Sequence, residues 1–236
     1  MSPDTPPRTA DRLIASLEVV ICSDYPTQIA TQYVLALFGL RSDGSLHIGF
    51  VVALSLVDTA MLLGLIALFL HAHGERPRDV FLGRRSIAGE ALHGFPLILV
   101  AIGLGAAVLL AAQHLAPQLH TVEHNPLQAL IRTPRDAWLF ALVVVVAGGV
   151  REEIQRAFLV HRFEVWLGGG AVGVLVTSAA FGVGHLLQGV DATLATGVLG
   201  AFWGIVYLRR RSVVAPMVSH AGFDLLQIAQ FIGVGR

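Results

Sequence analysis

Apolar residues recur along the chain in stretches of about 20, the length an α-helix needs to cross ~30 Å of hydrocarbon. Read this way, the spans are 46–71, 91–113, 136–160, 169–187, 191–208 and 213–232. Ahead of them, residues 13–40 hold two apolar runs separated by Ser23, Asp24, Tyr25 and Pro26. The second run, 27–40, is short enough that a crossing helix and a half-embedded one both fit. Residues 1–12 are polar, contain three prolines and read as a surface tail. The pattern predicts an all-α fold, a polytopic transmembrane helical bundle of six to eight membrane helices. It divides into the tail 1–12, N-terminal membrane helices over 13–135 and a helical core over 136–236, all within one integral-membrane domain.

Composition narrows the class further. Of 236 residues, 55% are hydrophobic and only 14% charged, against about 25% charged in a soluble domain. A soluble domain is excluded. Every basic residue is arginine, and 16 of them balance 16 acidic residues, so no basic patch points to nucleic acid. The arginine bias suggests a bacterial source and hence the cytoplasmic (inner) membrane. Cys22 is the only cysteine, which excludes an intramolecular disulfide and a four-cysteine zinc site; a metal would need histidine and carboxylate ligands. Asp4, Asp11 and Glu18 near the start run against a cleaved targeting segment. The connections 72–90 (Arg76, Arg78, Arg84, Arg85), 161–168 (Arg162) and 209–211 (Arg209 to Arg211) alternate with 41–45 and 188–190, which are poor in arginine. By the positive-inside rule the arginine connections are cytoplasmic, and 114–135, despite Arg132 and Arg135, is the longest external one.

Ionisable side chains within membrane spans are costly and mark functional candidates. That filter selects Asp58, the cluster Arg151, Glu152, Glu153 and Arg156, then His185, then His220 with Asp224. Adjacent carboxylates at 152 and 153 stand about 100° apart around a helix, so only one need face a reaction centre. Arg156, one turn beyond Glu152, is spaced to pair with it. A helix end reaching the interface would also carry such charges, but the apolar Ala157 to Val160 follow here. In the segment 181–189, Phe181 and His185 are four residues apart, with Gly182 and Gly184 allowing close helix approach. His220 and Asp224 share one helix face at the same spacing, an arrangement that can fix a tautomer or simply join helices. A carboxylate and two imidazoles around a wet, apolar-walled pocket can activate water against a carbonyl, with or without a metal. Peptide hydrolysis is the reaction class this suggests, and neither HExxH, GxSG nor GxGD occurs.

These residues resemble the motifs of the CPBP intramembrane proteases, a family that includes CAAX prenyl endopeptidases and bacteriocin-processing or self-immunity proteins. The family pattern is EExxxR, then FxxxH, then HxxxN or HxxxD. Glu152-Glu153, Phe181 to His185 and His220 to Asp224 match in order, over roughly residues 136–232. The arginine departs from the pattern: it stands at Arg156, one residue before Ala157, where strict spacing would put it. The resemblance implies that 136–236 is the catalytic core and that Glu152 activates water. His185 and His220 would position that water or a metal and hold the oxyanion, Asp224 would orient His220, and Glu153 would support. Arg156 joins the candidate site residues. If a divalent metal such as zinc takes part, His185, His220 and Glu152 are its implied ligands. The implied partners are a membrane-associated peptide or protein substrate and the lipid bilayer. The alternative is a non-catalytic immunity or scaffold protein in which the polar cluster only locks helices together. A transporter would more often show inverted repeats, which are not visible.

Overall fold

The computed structural model describes residues 9–40, 47–123 and 125–234. The connection 41–45 and His124 lie outside them. Among the described residues every regular element is helical: α1 Thr9–Ile21, α2 Tyr25–Leu37, α3 Ile48–Ala72, α4 Pro77–Phe81, α5 Ile87–Leu115, α6 Pro134–Val143, α7 Glu152–Trp166, α8 Gly170–Gly184, α9 Val190–Arg210 and α10 Val214–Val234. Three helices, α3, α5 and α9, are long and apolar enough to cross a membrane. The six to eight expected are not reached on that measure among the described residues. Charges crowd the start of α7, and α8 has only 15 residues. Thr9 to Arg12, expected within the polar tail, belong to α1.

The span expected at 136–160 is not one α-helix. Thr133 and Asp136 form a capping box and Pro134 occupies the first turn, a strong start signal for α6. After ten residues, however, the chain changes to a π-helix over Val144–Arg151 before α7 resumes α geometry. Such i→i+5 segments re-aim the side chains that follow and are frequent at functional sites. Close packing fixes this one against α10: a Cβ on Gly149 would stand 2.6 Å from the Ala221 Cβ, and one on Gly148 would stand 2.8 Å from Asp224 Oδ2. The paired glycines thus bring the π segment against the face of α10 that carries His220 and Asp224.

Helix α5 lies along α10, and α8 along α9. Small residues permit both approaches: Gly94 and Gly222 face Val218 and Ile98 across the first pair, and Gly182 faces Gly197 across the second. One apolar cluster joins Cys22, Leu62, Ile66, Leu70, Val80, Phe158 and Leu159, so that α7 is packed by the α1–α2 hairpin, α3 and α4. A second, Ala101, Leu199 and Trp203, sits behind His220 between α5 and α9.

The arginine-bearing connections meet at one end of the molecule. Arg210 pairs with Glu90 through two bonds of 2.6 and 2.7 Å, Arg211 pairs with Glu164, and Arg85 Nε donates to Arg210 O at 2.8 Å. At the other end, His120 lies 2.7 Å from Asp191, Asn125 donates to Gln188 at 3.2 Å, and Val190 N–H donates to Thr121. The loop 114–135 and the turn 188–190 therefore share an end, as their alternation with the arginine loops requires.

Candidate active site

Glu152 opens α7 directly after the π-helix and is half-buried, whereas Glu153 is almost fully buried. They leave the helix about 100° apart, yet both reach one imidazole. His220 Nδ1 lies 2.9 Å from Glu153 Oε1, while its Nε2 faces Glu152 Oε2 at 3.9 Å and Asp224 Oδ2 at 3.7 Å. The bond that orients His220 therefore comes from Glu153, not from Asp224. Asp224 instead shares the Nε2 side with Glu152.

Arg156 also differs from its expected role. Its Nε donates to Glu153 Oε2 at 3.4 Å and its Nη2 lies 3.3 Å from Oε1, so it pairs with Glu153 rather than Glu152. It caps Gly200 O and its guanidinium rests 4.5 Å from the centre of the Phe181 ring. Glu153 is thus held between Arg156 and His220, and the shifted arginine spacing still delivers a guanidinium to the double-glutamate motif.

The neighbour of Glu152 is Arg151. Its Nη2 donates to Glu152 Oε1 at 3.1 Å, and its Nη1 donates to Asp58 Oδ2 at 2.9 Å and to Asp24 Oδ1. Glu152 Oε2 makes no hydrogen bond with any described residue.

His185 caps α8, and its Nδ1 lies 2.8 Å from Phe181 O, which leaves Nε2 free. Phe181 meets both imidazoles edge-on, with centroids 4.8 Å from His185 and 6.0 Å from His220. By position along the spans, His185 should lie on the opposite side of the midplane from Glu152 and His220. The structure removes that conflict, because His185 lines the same cavity as Glu152 and His220.

Trp203 completes the centre. Its indole stacks on His220 with centroids 3.8 Å apart and planes 18° from parallel, and Nε1 donates to Ser219 Oγ at 3.1 Å. The filter for ionisable residues could not find it, since a tryptophan in an apolar span reads as packing.

Two cavities converge here. One, of about 350 Å³, is lined by Gly148, Glu152, His185, Trp203, His220 and Asp224. The other, of about 450 Å³, lies between the α1–α2 turn and α8, with Asp24, Tyr25, Gln155 and Val176 in its wall. Both contain Arg151, Glu152, Phe181 and His185, so Glu152 stands where they meet. Among the described residues no three histidine, cysteine or acidic side chains are grouped so as to hold a metal ion. The implied set His185, His220 and Glu152 is not gathered into such a group, while each histidine has Nδ1 engaged by the protein, as histidines that bind a metal through Nε2 also do.

Residues 134–226 match the family model of the type II CAAX prenyl endopeptidase Rce1-like proteins, from the first residue of α6 to beyond Asp224. That match supports reading the stretch as a domain of the CPBP/CAAX protease type. No curated protein and no solved structure matches the chain.

Proposed function

We propose that the protein is an intramembrane endopeptidase that hydrolyses a peptide bond of a membrane-associated peptide or protein. The observation that carries this reading is the face-off between Glu152 Oε2 and His220 Nε2, 3.9 Å apart in a cavity of about 350 Å³. That separation is too long for a direct hydrogen bond and suits one water bonded to both groups. Glu152 takes a proton from the water as its oxygen adds to the substrate carbonyl, then returns that proton to the leaving amine as the C–N bond breaks. Protonated His220 donates from Nε2 to the developing oxyanion. His185, its Nδ1 engaged by Phe181 O, offers Nε2 to orient the water or the peptide. Glu153, Arg156 and Trp203 hold the His220 ring in place.

The test is cleavage of quenched fluorescent peptides by detergent-purified protein, compared with Glu152→Gln and with wild type plus chelator. Cleavage by wild type that Glu152→Gln abolishes supports the reading. Equal cleavage by the variant refutes the role of Glu152, and chelator sensitivity would show that a metal takes part. A scaffold protein would keep its function in Glu152→Gln.

A further inference from the structure

A guanidinium beside a carboxylate tends to form two parallel hydrogen bonds, one to each oxygen. Such a fork between Arg151 and Glu152 would occupy the oxygen that has to receive a proton from water. The structure avoids it. Arg151 is buried and meets three carboxylates from three segments: Asp24 in the α1–α2 turn, Asp58 in the middle of α3, and Glu152. Both aspartates sit on Nη1, and Nε donates to Ala147 O at 3.4 Å, so only Nη2 reaches Glu152, and it engages Oε1 alone. Oε2 is left facing His220.

The turn that presents Asp24 is built for this contact. Asp24 has φ of 80°, a backbone conformation uncommon for a residue other than glycine and found where surrounding structure over-determines it. Gln28 Nε2 donates to Asp24 Oδ2 at 2.6 Å, which aims Oδ1 at Arg151. On either side, Cys22 O accepts from Gln155 Nε2 at 2.7 Å and Tyr25 O–H donates to Ala180 O at 2.9 Å, tying the turn to α7 and α8. Asp24, Arg151 and Glu152 line the same cavity of about 450 Å³.

We propose that Arg151 is the positioning residue for Glu152, held in its one-bond arrangement by Asp24 and Asp58, so that the α1–α2 hairpin and α3 complete a catalytic centre whose family motifs all lie within residues 134–226. This rests on the endopeptidase reading for its kinetic consequence, but the geometry it asserts can be read without turnover. When an aspartate is neutralised, Arg151 swings onto both oxygens of Glu152, and the water loses its base while the substrate cavities keep their shape.

The experiment compares wild type, Asp24→Asn, Asp58→Asn and Asp24→Glu in detergent, with thermal unfolding as the check on folding. On a peptide that wild type cleaves, both Asn variants should lose about 10- to 100-fold in kcat with KM within about twofold, and Asp24→Glu should recover most of the loss. A merely structural anchor would lower the folded fraction without that split. In parallel, infrared difference spectra assign the Glu152 carboxylate stretch as the band removed by Glu152→Gln, and that band should shift in Asp24→Asn. Wild-type kcat in both Asn variants, or an unmoved Glu152 band, overturns the proposal. If wild type cleaves nothing, the endopeptidase reading fails, while the infrared comparison still decides whether Asp24 sets the pairing of Glu152.

Discussion

Helix α7 carries two clusters made from the same kinds of side chain, nearly three turns apart, and they are organised in opposite ways. Around Arg162 every carboxylate oxygen is matched: Arg162 donates to Glu18 Oε2 at 2.5 Å and Glu75 Oε2 at 2.6 Å, while His73 lies 2.7 Å from Glu18 Oε1 and His161 lies 2.8 Å from Glu75 Oε1. Around Glu152 and His220 the matching stops short. Glu153 is saturated, but Glu152 and Asp224 face the His220 Nε2 at 3.9 and 3.7 Å. The first cluster ties α1 and the segment after α3 to α7, and its carboxylate oxygens are all taken, while the buried Arg162 Nη2 is left without a hydrogen bond among the described residues. The second keeps acceptors and a ring nitrogen exposed to a cavity. Charge inside an apolar fold therefore serves stability where its carboxylates are fully matched, and is available for chemistry where they are left open.

The sharpest way to break this contrast is to neutralise each member of the Glu152 and Glu153 pair in turn. Glu152→Gln should lower cleavage by about 10²- to 10⁴-fold, the range for loss of a general base, with the melting temperature unchanged. Glu153→Gln should lower both, because it removes a buried partner shared by His220 and Arg156. Thermal unfolding beside a cleavage assay checks the pair; a Glu152→Gln variant that unfolds would place Glu152 in the structural class.

Arg162→Met probes the other cluster. It leaves Glu18 and part of Glu75 without their buried counter-charge, and removal of one partner of a buried pair costs about 3–5 kcal/mol. Denaturation should show that loss, while kcat per folded molecule stays near wild type. A fall in kcat with stability intact would mean that the Arg162 cluster belongs to the reaction.

How far these clusters were legible in the sequence depends on range. Glu152, Glu153, His185, His220 and Asp224 were visible because each is an ionisable residue in an apolar run, and their order along the chain carried the family motifs. Which carboxylate holds which ring nitrogen was not, because the π-helix at Val144–Arg151 changes the side-chain phase just before the glutamates. Periodicity at 3.6 residues gives no sign of it beyond the Gly148-Gly149 pair. Arg156 moved from Glu152 to Glu153 for a related reason: positions three and four residues apart are both helix neighbours, and tertiary packing against Phe181 and Gly200 decides between them. Asp24 lay in a stretch read only as a break between apolar runs. Its contact with Arg151 spans 127 positions, a separation no local pattern reports.

Trp203 gives a smaller test of the open cluster. Trp203→Leu removes the ring stacked on His220, an interaction worth about 0.5–1.5 kcal/mol beyond its buried area, so kcat per folded molecule should fall up to about tenfold. Trp203→Phe keeps an aromatic face there and should recover most of it while losing the bond to Ser219. If Leu and Phe behave alike in kcat, the stacking has no part in orienting His220.

The smallest expected effect belongs to the closed cluster and depends on pH. Burial alone would raise the Glu75 carboxyl, but hydrogen bonds from His161 and Arg162, with the Arg162 charge, outweigh it and bring the group from its usual 4.5 down to about 2. A carboxyl lowered in the folded state stabilises the fold fully above its unfolded value, and that contribution fades as pH falls from 4.5 toward about 2. Because Glu75 is partly open to solvent, screening reduces the contribution to about 1 kcal/mol. Glu75→Gln should therefore lower stability by that amount near neutrality and converge with wild type toward pH 2, as read by paired denaturation curves across the acid range. Parallel curves at every pH would mean that the Glu75 charge does not contribute to the lock, and that Arg162 is held by Glu18 alone.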